Sequence, residues 1–282
     1  MITTITILFT GALIAGLLVS LTGLGGGVFI IPLLTLVFGV DIRYAIGTSL
    51  ISVIATSSGA ASSYVKEGLL NIRIGMFLEI ATTLGAIAGA AIAVFAPTHA
   101  IAIVFGLVLI YSAINSLRRQ NEEDENIATT PLKEPGKLIR LLKAEGTYNT
   151  GSETKSYKLK NVGGGFFVMS LAGVLSGLLG IGSGALKVIA MDTIMKIPFK
   201  VSTSTSNFMI GVTAAASAGI YLNRGYIDPV LSLPIMVGVL IGSLAGAKVL
   251  LKARTKPIRV VFAIVIMLLA AEMIYNGITK NI

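Results

Sequence analysis

Long apolar runs interrupted by glycine rather than by charge constrain this chain more than any other feature. Blocks at 8–21, 82–96, 99–117, 231–251 and 258–278 carry few charges. A helix needs roughly 20 apolar residues to cross the hydrocarbon core of a bilayer. The mean hydropathy of +0.89 and a charged fraction of 12% agree, since soluble domains hold about twice that share of charge. With lipid as solvent every backbone amide must be satisfied internally, so the expected fold is an all-α polytopic membrane protein. Residues 1–4 lack the basic leader of a signal peptide, and the first segment is expected to be permanent. Cysteine is absent, which excludes a disulfide framework, haem attachment and thiolate metal sites.

The chain contains itself twice. In a single ungapped register that sets Gly27 against Gly184, an offset of 157, Gly16 falls on Gly173 and Leu21 on Leu178. Gly23 and Gly25 fall on Gly180 and Gly182, and Thr48-Ser49 on Thr205-Ser206. Tyr64 meets Tyr221, Gly68 meets Gly225, and Gly85 and Gly89 meet Gly242 and Gly246. One register held over some 75 residues signals duplication. Each half reads as a long apolar stretch broken by glycine (4–38; 163–197) followed by three helices. These are expected at 44–65, 72–95 and 98–118, then at 202–222, 229–251 and 257–278. Asn71 as a cap, Asp228 before Pro229 and Lys256 before Pro257 mark helix starts. The expected organisation is a first transmembrane repeat at 1–118, a polar linker at 119–162 and a second repeat at 163–282. The linker opens on Glu122-Glu123-Asp124-Glu125 and closes on an alternation around Thr150-Gly151-Ser152 that suggests a small β-hairpin.

Loop charge chooses the topology. Stretch 4–38 would be about 50 Å long as one helix, too long for a ~30 Å core. It either crosses once or folds back at its glycines. Folding back places Lys66, Arg73, Lys196, Lys200, Lys252, Arg254, Lys256, Arg259 and all of 118–162 on one face, leaving Arg43, Arg224 and Lys280 on the other. A single crossing divides the basic residues almost evenly. The positive-inside rule favours folding back, hence two inverted repeats with the linker cytoplasmic and both termini outside. The net charge of +9 then belongs to a cytoplasmic membrane face, not to nucleic-acid binding.

The candidate site is the pair of glycine breaks, 22–27 and 179–184. Unwound backbone at membrane depth is tolerated where it is buried in protein or lines a cavity, and paired interruptions in two halves are how carriers build a central site. Helix starts at Gly25, Gly26 and Gly27 and at Gly182, Ser183 and Gly184 would aim free amides at an anion. The competing reading, close helix packing, fits Gly85/Gly89 and Gly242/Gly246 better. Lys187 lies one turn past the second break, and a lysine in an apolar setting is usually functional. Its alternative role is internal pairing with Asp192 or Glu79. The first half has Ile30 at the equivalent position. Thr48, Ser49, Thr205, Ser206 and Asn207 offer donors suited to sulfonyl or sulfite oxygens, although Ser and Thr also bond back to their own helices. Glu79 is the candidate carrier of a coupling proton, with structural pairing as the alternative. Glu272 lies near a helix end, and His99 reads as a solvated turn residue.

At these residues the chain resembles a known family. The Gly-x-Gly-Gly-Gly break followed by Pro32, Gly-Thr-Ser-Leu at 47–50, and the stretch 175–184 with Lys187 after it are similar to the sulfite exporter TauE/SafE family. So is the run 205–213. The resemblance covers nearly everything but the linker. It implies secondary transport of sulfite, thiosulfate, organosulfonates or related sulfur anions across a bacterial or archaeal cytoplasmic membrane, without an ATPase subunit. Here the second break carries Ser183 where the first has Gly26.

The sequence leads to a carrier of a small anion, with the bilayer and a coupling proton as its other partners and neither cofactor nor metal expected. A passive anion channel is an alternative. An intramembrane enzyme is disfavoured, because no helix shows a His/Asp metal pair and the one histidine sits at a loop. A cation exporter is disfavoured by isolated acids beside a membrane lysine.

Overall fold

In a computed structural model the described residues are 2–22, 26–66, 70–118, 146–150, 153–157, 159–250 and 255–280. Helix α1 (Ile2–Thr22) leads to the first break, followed by α2 (Gly27–Pro32), which continues without interruption into a π-helical turn at Leu33–Val37. Helices α3 (Ile42–Lys66), α4 (Ile72–Phe95) and α5 (Thr98–Arg118) complete the first half. A hairpin of β1 (Gly146–Thr150) and β2 (Glu153–Tyr157) pairs Gly146 with Tyr157 and Thr150 with Glu153. The second half is α6 (Val162–Leu179), α7 (Gly184–Ile189) with its own π turn at Ala190–Ile194, α8 (Phe199–Asn223), α9 (Pro229–Leu250) and α10 (Thr255–Thr279). The starts of α2, α3, α4 and α5 match those of α7, α8, α9 and α10 at the register that sets Gly27 on Gly184.

Packing repeats with the halves exchanged. Helix α1 lies along α9 as α6 lies along α4, and α3 meets α9 as α8 meets α4. Helices α3 and α8 cross each other, as do α5 and α10. Exchanged partners of this kind are what a two-fold relation between the halves produces. The α4–α6 and α1–α9 contacts are backbone-close. A Cβ on Gly85 or Gly89 would meet Ser170 or Val174 of α6, and one on Gly242 would meet Leu13 of α1. Small residues that let helix backbones touch are the usual membrane packing device.

Among the described residues four helices, α4, α5, α6 and α9, are long and apolar enough to cross a membrane. Along α4 the exposed Met76, Ile80, Leu84 and Ile87 form one outward stripe at helical spacing. Helices α3 and α8 run 25 residues each yet carry many hydroxyls, among them Thr48, Ser49, Ser52, Thr56 and Ser57 on α3. Their position explains it. They cross at the centre, and those hydroxyls are buried against protein rather than lipid.

Neither broken stretch is a straight crossing. Gly11 of α1 packs on Leu33, and Gly165 near the start of α6 packs on Met195 just past the second π turn. The Lys160 amide donates to the Met195 carbonyl at 2.9 Å, so the second stretch returns to the level at which it began. At that end of the bundle the Asn71 amide donates to Thr205 Oγ1 at 3.2 Å, and its Nδ2 donates to Tyr157 OH at 2.7 Å. At the opposite end Arg43 Nη2 donates to the Ala96 carbonyl at 2.8 Å, and Gly47 abuts the Tyr226 carbonyl.

Candidate functional site

The two breaks meet. A Cβ on Gly27 would strike the Gly180 carbonyl, Ser49 Oγ and the Ile181 backbone, so only glycine permits this approach. Helix α6 ends because Gly180 and Gly182 turn left-handed, at φ 66° and 72°, where a side chain is strained. Ser183 follows at φ 44° despite its Cβ.

Carbonyls freed by this unwinding need partners. The Tyr221 hydroxyl donates to Gly177 at 3.2 Å, Ser49 Oγ to Gly180 at 2.8 Å, and Ser206 Oγ to Gly184 at 3.2 Å. The bond from Ser49 ties the first half to the break of the second. Gly182 sits over Val53 of α3 and Ile210 of α8, which places this break beside the central crossing.

Two hydroxyls beside the break have no protein partner. Ser183 Oγ and Ser176 Oγ are both buried and unbonded. An unpaired buried hydroxyl costs about 1–3 kcal/mol, which makes each a candidate ligand donor.

Lys187 is completely buried, on the one-turn helix that starts at the break. Its Nζ donates to Thr213 Oγ1 of α8 at 2.5 Å, and Thr213 Oγ1 lies 2.7 Å from Glu79 Oε1 of α4. The threonine's single proton goes either to Glu79 or, at 2.9 Å, to the Met209 carbonyl of its own helix. Thr83 Oγ1 donates to the same Oε1 at 3.2 Å, while Glu79 Oε2 is buried without a partner. The internal partner anticipated for Lys187 is therefore Glu79, reached through a hydroxyl. Asp192 lies beyond it in the π turn.

The other anticipated residues divide. Gly27, Gly182, Ser183, Gly184, Ser49 and Ser206 lie at or beside the meeting of the breaks, while Gly26 faces Ile30, Val239 and Thr56. Gly25 lies outside the described residues. Thr48 and Thr205 are placed elsewhere. Thr48 Oγ1 shares a 3.3 Å hydrogen bond with Ser232 Oγ of α9, and Thr205 accepts from Asn71. Each thus serves a helix–helix contact, at equivalent places in the two halves. Asn207 is half-buried on α8, and its carbonyl accepts from Ser57 Oγ at 2.5 Å. Sequence reading missed Thr213 and Ser176, because a threonine or serine inside a helix gives no sign of whether its hydroxyl turns back or reaches across. Many here do turn back: Ser52 bonds to Thr48, Thr56 to Ser52 and Ser217 to Thr213.

No group of three metal-ligating side chains exists among the described residues. What remains, among the described residues, is a glycine-lined meeting of the breaks with a lysine, a carboxylate and unpaired hydroxyls on the segments around it.

Comparison with known proteins identifies the family of this chain. The profile of the family described as Sulfite exporter TauE/SafE matches residues 8–273. A "Probable membrane transporter protein YunE" of Bacillus subtilis is 28% identical over 96% of this chain and 98% of its own length. A second from that organism, YdhB, is 30% identical over 83% of this chain and 85% of its own. An archaeal relative, "Probable membrane transporter protein MJ0441" of Methanocaldococcus jannaschii, is 24% identical over 89% of this chain. No solved structure matches. From the matched span, the apolar helices and these relatives, the chain is a multi-pass membrane protein belonging to the sulfite exporter TauE/SafE family of membrane transporters.

Proposed function

We propose that this protein is a secondary carrier of small sulfur-containing anions, such as sulfite, thiosulfate or organosulfonates, bound where the two glycine breaks meet. The observation that carries the reading is the meeting of Gly27 with Gly180, where no side chain fits, followed along the same segment by the unpaired Ser183 hydroxyl and, one turn on, the buried Lys187. A tetrahedral or pyramidal oxyanion needs several donors and a compensating positive charge, and this junction has both. Lys187 selects for charge. An ammonium within about 4 Å of an anion contributes about 4 kcal/mol at an effective dielectric of 20.

The halves are inverted repeats, with the linker cytoplasmic and both termini outside. Three contacts support this: Lys160 with Met195, Asn71 with Thr205, and Gly47 with Tyr226. A single crossing of each broken stretch would put the members of these pairs on opposite faces. With folded-back stretches each half makes an odd number of passes, and the elements rock about a fixed central site.

Purified protein in liposomes tests the proposal. Unlabelled internal thiosulfate should accelerate entry of labelled thiosulfate, which a channel does not do. Lys187→Gln should lower affinity at least tenfold, and more for doubly charged anions. Failure of sulfite, thiosulfate, sulfate, sulfoacetate and taurine alike to raise the melting temperature or drive counterflow would reject the substrate class.

A further inference from the structure

The chain's duplication provides an internal control. At the register that sets Gly27 on Gly184, Lys187 corresponds to Ile30, Thr213 to Thr56 and Glu79 to Met236. The first half thus builds the same helices from an isoleucine, a threonine and a methionine. Its Thr56 hydroxyl turns back to the Ser52 and Val53 carbonyls, and Gly26 there is lined by Ile30, Val239 and Thr56. Equivalent packing without charge shows that this architecture has no need of a buried amine and acid. Buried ion pairs are in any case poor stabilisers beside apolar residues of similar size. Charges that the fold does not require, at an intramembrane site, are retained for function.

Geometry narrows that function. Thr213 joins the amine to the acid, so the carboxylate occupies the ammonium's attention in the absence of another anion. Glu79 Oε2 is buried and unbonded, and it is the atom on which a proton would sit. The surroundings hold few competitors. Helix α6, packed along α4, has no titratable residue. Helix α8 contributes Lys200 at its start and Tyr221 near its end, the α7 segment contributes Lys187 and Asp192, and α4 itself has Arg73 in its first turn.

We propose that Glu79, Thr213 and Lys187 form a coupling unit through which one proton accompanies each transported anion. This rests on the anion site proposed above. The arriving anion takes the Lys187 ammonium from Glu79. The freed carboxylate accepts one proton from the side the anion came from, and Thr213 returns its proton to the Met209 carbonyl. Carboxylate plus proton gives neutral acid, so a monovalent anion crosses with no net charge beyond that of the empty carrier. On the far side the anion leaves, Glu79 releases the proton, and its carboxylate re-engages Lys187 through Thr213. Thr213 is a positioning residue that moves no proton to substrate.

The test is the full chain in liposomes carrying an internal pH-sensitive dye, with the membrane potential clamped by potassium and valinomycin. Inward gradients of thiosulfate and of sulfoacetate should each acidify the lumen by one proton per anion taken up. Glu79→Gln should abolish acidification, and any labelled thiosulfate it still carries should enter without a proton. A purely structural link predicts instead that protons per anion stay unchanged in Glu79→Gln. Wild-type uptake without acidification, or acidification retained in Glu79→Gln, overturns the coupling and leaves the anion site standing. Absence of counterflow for sulfite, thiosulfate, sulfate, sulfoacetate and taurine alike overturns the anion site and the coupling with it.

Discussion

Replacing Lys187 and Glu79 by their repeat counterparts, singly and together, should expose what the two charges do for the fold. Hydrogen bonds of 2.5 and 2.7 Å through Thr213 set the charged atoms at most about 5 Å apart. At an effective dielectric of 20 that separation corresponds to about 3 kcal/mol of attraction. Lys187→Ile or Glu79→Met alone strands a fully buried charge, and breaking buried pairs costs about 3–5 kcal/mol. The double variant removes both charges and installs side chains that the first half already packs at the same stations. Its stability should come within about 1 kcal/mol of wild type or exceed it, giving a coupling energy of about 3 kcal/mol or more in a double-mutant cycle. Reversible unfolding by SDS titration in mixed micelles measures all four proteins on one scale. The double variant should melt like wild type and transport nothing. If it were at least as unstable as the worse single variant, the charges would be part of the fold and the argument from the duplicate would collapse.

Other outcomes follow from the same contacts. The native chain lacks cysteine, so single cysteines at Thr3 and Asn149 report topology directly, and an impermeant maleimide should reach them from opposite faces. Gly89→Ala drives a methyl into the Val174 backbone and should lose about 1–3 kcal/mol. Gly219→Ala, in the same kind of helix but with open space around it, should be neutral or gain up to about 1 kcal/mol in the same titration. Ser183→Ala removes a buried hydroxyl that has no partner, so the melting temperature should hold or rise while thiosulfate affinity falls several-fold. A fall in both would make that hydroxyl structural.

Local chemistry made the helices legible and left their meeting points obscure. Fixed-offset glycines and apolar runs foretell the elements because unwinding and lipid burial are decided within a few residues. The starts of α3 and α8 fall within a few residues of their expected positions. Lys187 stands out because an ammonium in an apolar run is expensive wherever the helix ends up. Hydroxyls are different, since each has a cheap local partner on the preceding turn, and only assembly decides whether it is used. Thr48 and Thr213 look alike in sequence. One joins Ser232 across a helix contact, and the other bridges a lysine and a glutamate. That Gly27 presses on Gly180 is likewise invisible, because the two are brought together by the crossing of α3 and α8 and not by anything either glycine encodes.

The departures from symmetry cluster where the symmetry itself would place a ligand. Away from the breaks the halves repeat each other, down to Thr48 meeting α9 as Thr205 meets the start of α4, though through different partner atoms. At the breaks they part. Ser49 reaches across to the carbonyl of Gly180 in the other half, whereas its counterpart Ser206 bonds to Gly184 within its own half. Gly26 is right-handed where Ser183 is left-handed. Two identical lysines near a two-fold axis would both lack a partner whenever the site is empty, and an unpaired ammonium at that depth costs about 3 kcal/mol by insertion scales. In the proposed site, one lysine, one acid to hold it when no anion is present and the unpaired hydroxyls would bind an anion without stranding a charge between cycles. The Ile30, Thr56 and Met236 of the first half are then no degenerate copy of a site. They pack the equivalent stations of the first half without a charge.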